Sequence, residues 1–135
     1  MNRILLIVGG IINALFALLH ITLGKAMNWN ETLACLTPDN RATVYLLNTH
    51  LAYTCLVFAF LSVVFRKELT TTGIGRATTA AIALFYILRA ITQVIYTGVS
   101  VTDAPFGVIL FLFVSLFYII PTLSKRSAAL KPATS

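Results

Sequence analysis

Four long apolar segments constrain this chain more than any other feature of its sequence. They cover about residues 4–23, 43–65, 78–98 and 105–123. Each holds about 20 residues, which is the length that a helix rising 1.5 Å per residue needs to cross a hydrocarbon core of about 30 Å. The segments are too long and too continuously apolar to be barrel strands, and backbone groups in lipid must be bonded within their own segment. We therefore expect membrane-spanning helices.

The composition excludes a soluble domain of this length. Hydrophobic residues make up 59% of the 135 residues and charged residues 10%, whereas a soluble domain has about 25% charged residues. The net charge of +6 comes mainly from basic residues at the ends of the apolar segments, where membrane topology explains them. They are not interleaved with aromatic residues as in single-strand-binding proteins. We expect a lipid bilayer as the partner and no nucleic acid.

The distribution of lysine and arginine outside the spans predicts the orientation. Lys25 and Arg41 lie on one side, and seven basic residues lie on the other: Arg3, Arg66, Lys67, Arg76, Lys125, Arg126 and Lys131. Cytoplasmic loops carry such an excess, and short connections make sequential helices antiparallel neighbours. We predict an all-α membrane protein of the plasma (inner) membrane. It is a four-helix transmembrane bundle with up-down-up-down topology and with N and C termini cytoplasmic.

The domain organisation that we predict is one transmembrane domain, residues 1–126, followed by a disordered cytoplasmic tail, residues 127–135. A basic residue before the first apolar segment is also typical of a signal peptide. This apolar run is longer than a signal core, however, so we expect a retained helix. In the longest connection, residues 25–42, the sequence Thr37-Pro38-Asp39-Asn40 predicts a turn.

Three predicted helices carry costly polar side chains at a similar depth in the membrane. Counted at 1.5 Å per residue, His20, Gln93 and His50 lie roughly 5, 8 and 10 Å below the outer boundary, with Arg89 near the middle. An arginine at that depth costs about 2.5 to 3.5 kcal/mol, and no acidic residue lies within a predicted span. We predict one shared site toward the outer leaflet, built from His20, His50, Arg89 and Gln93.

Several occupants are compatible with this site. His20 and His50, as neutral imidazoles from neighbouring helices, would be the axial ligands of haem b, with Arg89 facing a propionate. The same two histidines would bind a metal ion such as Zn, Cu or Fe together with Glu31 or Asp103. A pocket for a quinone or a lipid headgroup is a third interpretation. A structural role, in which the histidines bond between helices and Arg89 bonds carbonyls and tyrosines, is the simplest.

The function that we predict is a small membrane-embedded binding or redox module, with b-type haem as the best specific occupant. One alternative is a non-catalytic accessory subunit of a larger complex, which agrees with a homo-oligomer or with partner membrane subunits. Another is a membrane enzyme that uses His20 or His50 as acid or base on a lipid-like or quinone-like molecule. The sequence holds no nucleophile–base motif or phosphate-binding loop that identifies catalytic residues.

Overall fold

The computed structural model describes residues 2–97 and 105–123, and every regular element in this part of the chain is a helix. The helices are α1 (Asn2–Ala26), α2 (Trp29–Thr32), α3 (Pro38–Val64), α4 (Arg66–Thr71), α5 (Gly73–Thr97) and α6 (Pro105–Leu123). The predicted tail, residues 127–135, lies outside the described residues.

Four of these helices are long and apolar enough to cross a membrane. The candidate spans are Asn2–Ala26, Pro38–Val64, Gly73–Tyr96 and Phe106–Leu123. Their outward faces carry exposed large apolar side chains such as Ile4, Leu47 and Phe113, and lipid is the solvent that suits such a surface. The prediction of an all-helical, multi-pass membrane protein is confirmed to this extent.

Three of the long helices, α1, α3 and α5, begin ahead of the apolar segments that predict them. α3 begins at Pro38, ahead of the predicted start at residue 43, because Thr37 caps it: the Thr37 side chain accepts a hydrogen bond from the Asn40 amide at 3.4 Å. Threonine is a favourable N-cap and proline a favourable first helical residue. The prediction of a turn at residues 37–40 is therefore wrong.

A short helix, α4, joins α3 to α5 and packs closely against the start of α5. A Cβ atom at Gly75 would lie 2.1 Å from the carbonyl oxygen of Glu68, so the position requires glycine. The Gly75 amide donates to the Thr72 hydroxyl at 2.9 Å, which fixes the entry of the chain into α5. Leu69 of α4 is buried and belongs to the hydrophobic core.

α1 and α3 pack along much of their length and run antiparallel. Toward the start of α1, Gly10 lies against Val63, and a Cβ atom at Gly10 would come within 2.8 Å of that side chain. Farther along, His20 bonds Asn48. The absence of a side chain at Gly10 lets the two backbones approach, as small residues do in membrane helix pairs.

α5 and α6 form a second antiparallel pair, and the hydrophobic core lies where this pair meets α1. The hydroxyls of Thr79 and Thr122 lie 2.8 Å apart at one end of the pair. Gly107 lies beside Gln93 toward the other end. The core is built from Leu6, Leu69, Ile82, Ala83, Tyr86, Val114 and Tyr118.

Candidate functional site

A partly enclosed cavity of about 180 Å³ lies between the four long helices. We call it the central cavity. Its walls are mainly aromatic and aliphatic, with one histidine and one arginine. The lining residues are Phe16, Leu19, His20, Leu51, Cys55, Phe85, Tyr86, Arg89, Leu110 and Phe111. Since an apolar cavity of about 150 Å³ admits benzene, the central cavity has room for a single ring.

A reciprocal pair of hydrogen bonds joins His20 of α1 to Asn48 of α3. The Asn48 amide nitrogen, Nδ2, donates to the backbone carbonyl of His20 at 2.8 Å. The Asn48 oxygen, Oδ1, then lies 2.8 Å from Nδ1 of the imidazole. Because Oδ1 has no proton to give, Nδ1 must be the donor. The neutral ring is therefore the Nδ1–H tautomer, and its Nε2 keeps a lone pair.

Arg89 lies on α5 about 12 Å from the Thr97 end, counted at 1.5 Å per residue. Its guanidinium lies over the ring of Phe111, with Cζ 5.0 Å from the ring centroid. A cation over an aromatic face gains about 0.5 to 2 kcal/mol, which offsets part of the cost of an arginine in the membrane. The carboxylates of the described residues lie in α2, in the first turn of α3 and in α4: Glu31, Asp39 and Glu68.

A buried polar group, which we call the Asn13 cluster, closes one side of the central cavity. The Tyr86 hydroxyl donates to Oδ1 of Asn13 at 2.5 Å. Nδ2 of Asn13 donates to the Tyr118 hydroxyl and to the Gly9 carbonyl, each at 2.8 Å. The Tyr118 hydroxyl lies 3.0 Å from Oγ of Ser62. All four side chains of the cluster are at most 1% exposed. In the described part of the chain, no buried side-chain nitrogen or oxygen lacks a partner.

The Asn13 cluster was not predicted from the sequence. Its members come from α1, α3, α5 and α6. Tyrosine and serine are common in membrane helices, so their presence alone does not indicate a buried cluster. The signal that points to it is Asn13 itself, an amide deep inside the first apolar segment and next to Gly9 and Gly10. A buried amide needs partners on neighbouring helices.

His50 lies on a different face of α3 from Asn48. Its side chain is exposed, and Nδ1 lies 2.7 Å from the carbonyl oxygen of Leu46, one turn earlier. At about 100° per residue, His50 lies about 160° around α3 from Asn48, which faces α1. Within one copy of the chain, His20 and His50 are therefore not brought together.

Of the four predicted site residues, His20 and Arg89 line the central cavity, whereas His50 and Gln93 do not. Gln93 is half-buried and lies one turn beyond Arg89, where a Cβ atom at Gly107 would be 3.9 Å from its Cδ. Within residues 2–97 and 105–123, no group of three or more His, Cys, Asp and Glu side chains is placed to hold a metal ion. Asp103, one of the two predicted carboxylate ligands, lies outside these residues.

No protein family, curated protein or solved structure matches this chain. The described residues define the class: their regular elements are all helices, and four of these helices are able to span a membrane. The activity has to be inferred from the central cavity and its polar groups.

Proposed function

We propose that this chain is an integral membrane binding module whose site is the central cavity. The observation that carries the proposal is that His20 of α1 and Arg89 of α5 line one aromatic cavity between the helices. Small-molecule pockets are concave and mostly apolar, with a few polar groups that orient the ligand. Ionisable side chains within membrane helices are costly and mark functional sites by default.

We propose that the four long helices cross the plasma membrane in an up-down-up-down arrangement, with both termini in the cytoplasm. The excess of basic residues on one side supports this orientation. His20 lies nearer to Ala26 than to Asn2, and Arg89 lies nearer to Thr97 than to Gly73. In this orientation the central cavity therefore opens in the outer half of the bilayer, and the Asn13 cluster lies toward the cytoplasm.

The ligand that we propose is a small lipid-soluble molecule with an oxygen-bearing head. The volume of about 180 Å³ is below the roughly 300 to 1,000 Å³ of pockets that enclose whole drug-sized ligands. A head of one ring would fill the cavity, and the remainder of a longer molecule would lie among lipid chains. The Arg89 guanidinium offers charge-assisted hydrogen bonds to the oxygen.

Comparative ligand extraction tests this proposal. Wild-type protein, Arg89→Gln and Arg66→Gln are purified in a mild detergent, and bound small molecules are extracted and identified by mass spectrometry. Arg66→Gln is the matched control because Arg66 is exposed and donates a hydrogen bond to the Val63 carbonyl. We expect a molecule that is retained by the wild type and the control and lost from Arg89→Gln. Equal retention by all three proteins, or no retained molecule in any of them, contradicts the proposal.

Haem b is a second candidate, favoured by the tautomer of His20, although its macrocycle is too large for the central cavity of one copy. A ring Nδ1–H held by an amide oxygen leaves Nε2 for iron, and metal-bound histidines usually have such a partner. Since His50 faces away from His20 within one copy, ligation by both histidines requires a second copy to supply one of them. A homo-oligomer is therefore part of this second proposal.

An absorption spectrum of the purified protein, oxidised and dithionite-reduced, tests the haem proposal. A Soret band with sharp reduced α and β bands, lost in both His20→Ala and His50→Ala, is the expected result. A colourless protein, or a spectrum that either variant leaves unchanged, contradicts ligation by this pair.

A further inference from the structure

We infer that the ligand of the central cavity carries a hydroxyl group on an aromatic ring, which places it in the phenol or hydroquinone class. The inference rests on the proposed function and names the ligand class of the same site. It follows from which polar atoms of the cavity accept hydrogen bonds and which donate them.

The two principal polar side chains of the cavity have opposite needs. His20 donates Nδ1–H to Asn48, since the Asn48 amide nitrogen is turned to the His20 carbonyl. Nε2 of His20 is therefore an acceptor. Arg89 presents N–H donors and no acceptor. A ligand that satisfies both must offer a proton to His20 and an oxygen lone pair to Arg89.

The other polar side chains that line the cavity are Tyr86 and Cys55. The Tyr86 hydroxyl donates to Asn13 at 2.5 Å, and its proton is not available to a ligand. The Cys55 thiol also lines the cavity, but a thiol is a weak donor and a weak acceptor. His20 and Arg89 therefore decide which polar head the cavity accepts.

A ring hydroxyl meets both needs with one functional group. Its O–H donates to Nε2 of His20, and its oxygen, or a second oxygen on the same ring, accepts from Arg89. A quinone offers acceptors alone and leaves Nε2 of His20 without a donor. A carboxylate likewise offers only acceptors and cannot donate a proton to Nε2 of His20. Leaving an acceptor unpaired in a desolvated site weakens binding.

The walls suit an aromatic ring in shape and chemistry. Phe16, Tyr86 and Phe111 form one contiguous aromatic surface, with ring centroids 6.1 to 6.3 Å apart. Aromatic rings associate favourably in offset or edge-to-face arrangements. A cavity of about 180 Å³ that is only partly enclosed accepts one substituted ring, and we propose that an alkyl chain on that ring extends into lipid.

The tautomer is tested first, on protein labelled with ¹⁵N at histidine and held in lipid nanodiscs. We expect nitrogen NMR to show protonated Nδ1 and unprotonated Nε2 for His20. The His50→Ala variant shows which nitrogen signals belong to His20 and which to His50. Asn48→Ala should abolish the preference of the His20 ring for the Nδ1–H tautomer. A His20 ring protonated at Nε2 in the unaltered chain would overturn the inference.

The ligand class is tested with a matched pair of probes, 4-nonylphenol and 4-nonylanisole. They share the ring and the chain, and the anisole has a methyl ether in place of the hydroxyl. By titration calorimetry at equal detergent concentration, we expect the phenol to bind about tenfold more tightly. We also expect the Nε2 signal of His20 to shift with the phenol alone. His20→Ala should remove the difference between the probes, whereas Arg66→Gln should retain it.

Failure of this inference is distinguishable from failure of the proposed function. If both probes bind equally and both weaken in Arg89→Gln, the hydroxyl requirement is wrong and the cavity still binds ligands. If neither probe binds and no molecule co-purifies with the protein, both proposals are wrong. The tautomer and the comparison of probes are measured on the unaltered chain, so a variant that fails to fold does not prevent the test.

Discussion

The Asn13 cluster and the central cavity share Tyr86 but use their polar groups in different ways. In the cluster, the hydroxyls and the amide bond one another at 2.5 to 3.0 Å and are withdrawn from the surface. At the cavity, the side chains of His20 and Arg89 line a space of about 180 Å³. Both layers carry the cost of polar groups in lipid.

The difference separates a structural use of polarity from a binding use. Where polar groups satisfy one another, they hold helices in register, and their removal should mainly lower stability. Where polar groups face a cavity, their removal should mainly change what the protein binds. Substitutions in the Asn13 cluster should therefore lower stability, whereas substitutions at the central cavity should lower ligand content. The variants below follow the expected loss of stability, from the largest to the smallest.

Asn13→Ala should have the largest effect. It leaves the buried hydroxyls of Tyr86 and Tyr118 without their amide partner, and we expect the free energy of unfolding to fall by about 2 to 3 kcal/mol. Unfolding in detergent followed by circular dichroism measures this. Thr22→Ala is the matched control on α1, since the Thr22 hydroxyl is exposed and bonds carbonyls of its own helix. Equal losses in the two variants would show that the cluster has no special structural role.

Gly10→Ala should have the next largest effect. The added Cβ would lie 2.8 Å from the Val63 side chain and 3.3 Å from the Ala59 carbonyl oxygen, so α1 and α3 must separate. We expect a loss of about 1 to 2 kcal/mol in the same unfolding measurement. Gly73→Ala is the control, because nothing lies within 4 Å of a Cβ atom there. A Gly10→Ala variant as stable as this control would contradict the close approach of α1 and α3.

Arg89→Gln should change stability little while altering binding. The variant loses the contact with Phe111 but also removes a charge from the membrane, so we expect the ligand-free protein to change by less than about 1 kcal/mol. Ligand content, measured by extraction, should fall at the same time. A large loss of stability with unchanged ligand content would show that Arg89 has a structural role and not a binding role.

His50→Ala should have the smallest effect on an isolated copy. The exposed ring bonds the Leu46 carbonyl of its own helix, and surface substitutions usually change stability by about 0.5 kcal/mol or less. Comparing unfolding with the molecular mass of the detergent complex tests this. A loss as large as that of Asn13→Ala, accompanied by dissociation of a larger species, would show that this face of α3 is covered by a second copy.

The number and approximate position of the four long helices could be predicted from the sequence, because hydropathy reports directly on which residues lipid will accept. The helix ends could not. A helix continues beyond the hydrocarbon boundary wherever capping and backbone bonds permit, as Thr37 and Pro38 permit at the start of α3. Hydropathy marks where apolar solvent ends, which is a different boundary from the end of a helix.

The candidate site could be predicted in part. Counting residues gives depth, and depth grouped His20 with Arg89, both of which line the central cavity. Depth says nothing about rotation, and His50 shares the layer while facing away from His20. Rotation depends on which face of each helix packs against its neighbours, and Asn48 was not identified as the residue of α3 that faces α1. Asn13 could not be assigned either, because its side-chain partners, Tyr86 and Tyr118, lie on two other helices.

The position of Tyr86 limits the size of the ring that the central cavity can accept. Its ring forms part of the wall while its hydroxyl is held by Asn13, so the wall cannot swing aside without breaking a buried bond. A cavity with a movable wall accommodates guests of many sizes, whereas one with an anchored wall rejects those that are too wide. We expect a fused two-ring alcohol such as a naphthol to compete poorly with a phenol of equal polarity. Tyr86→Phe removes the hydrogen bond to Asn13, and we expect it to reduce the difference in affinity between the two ligands.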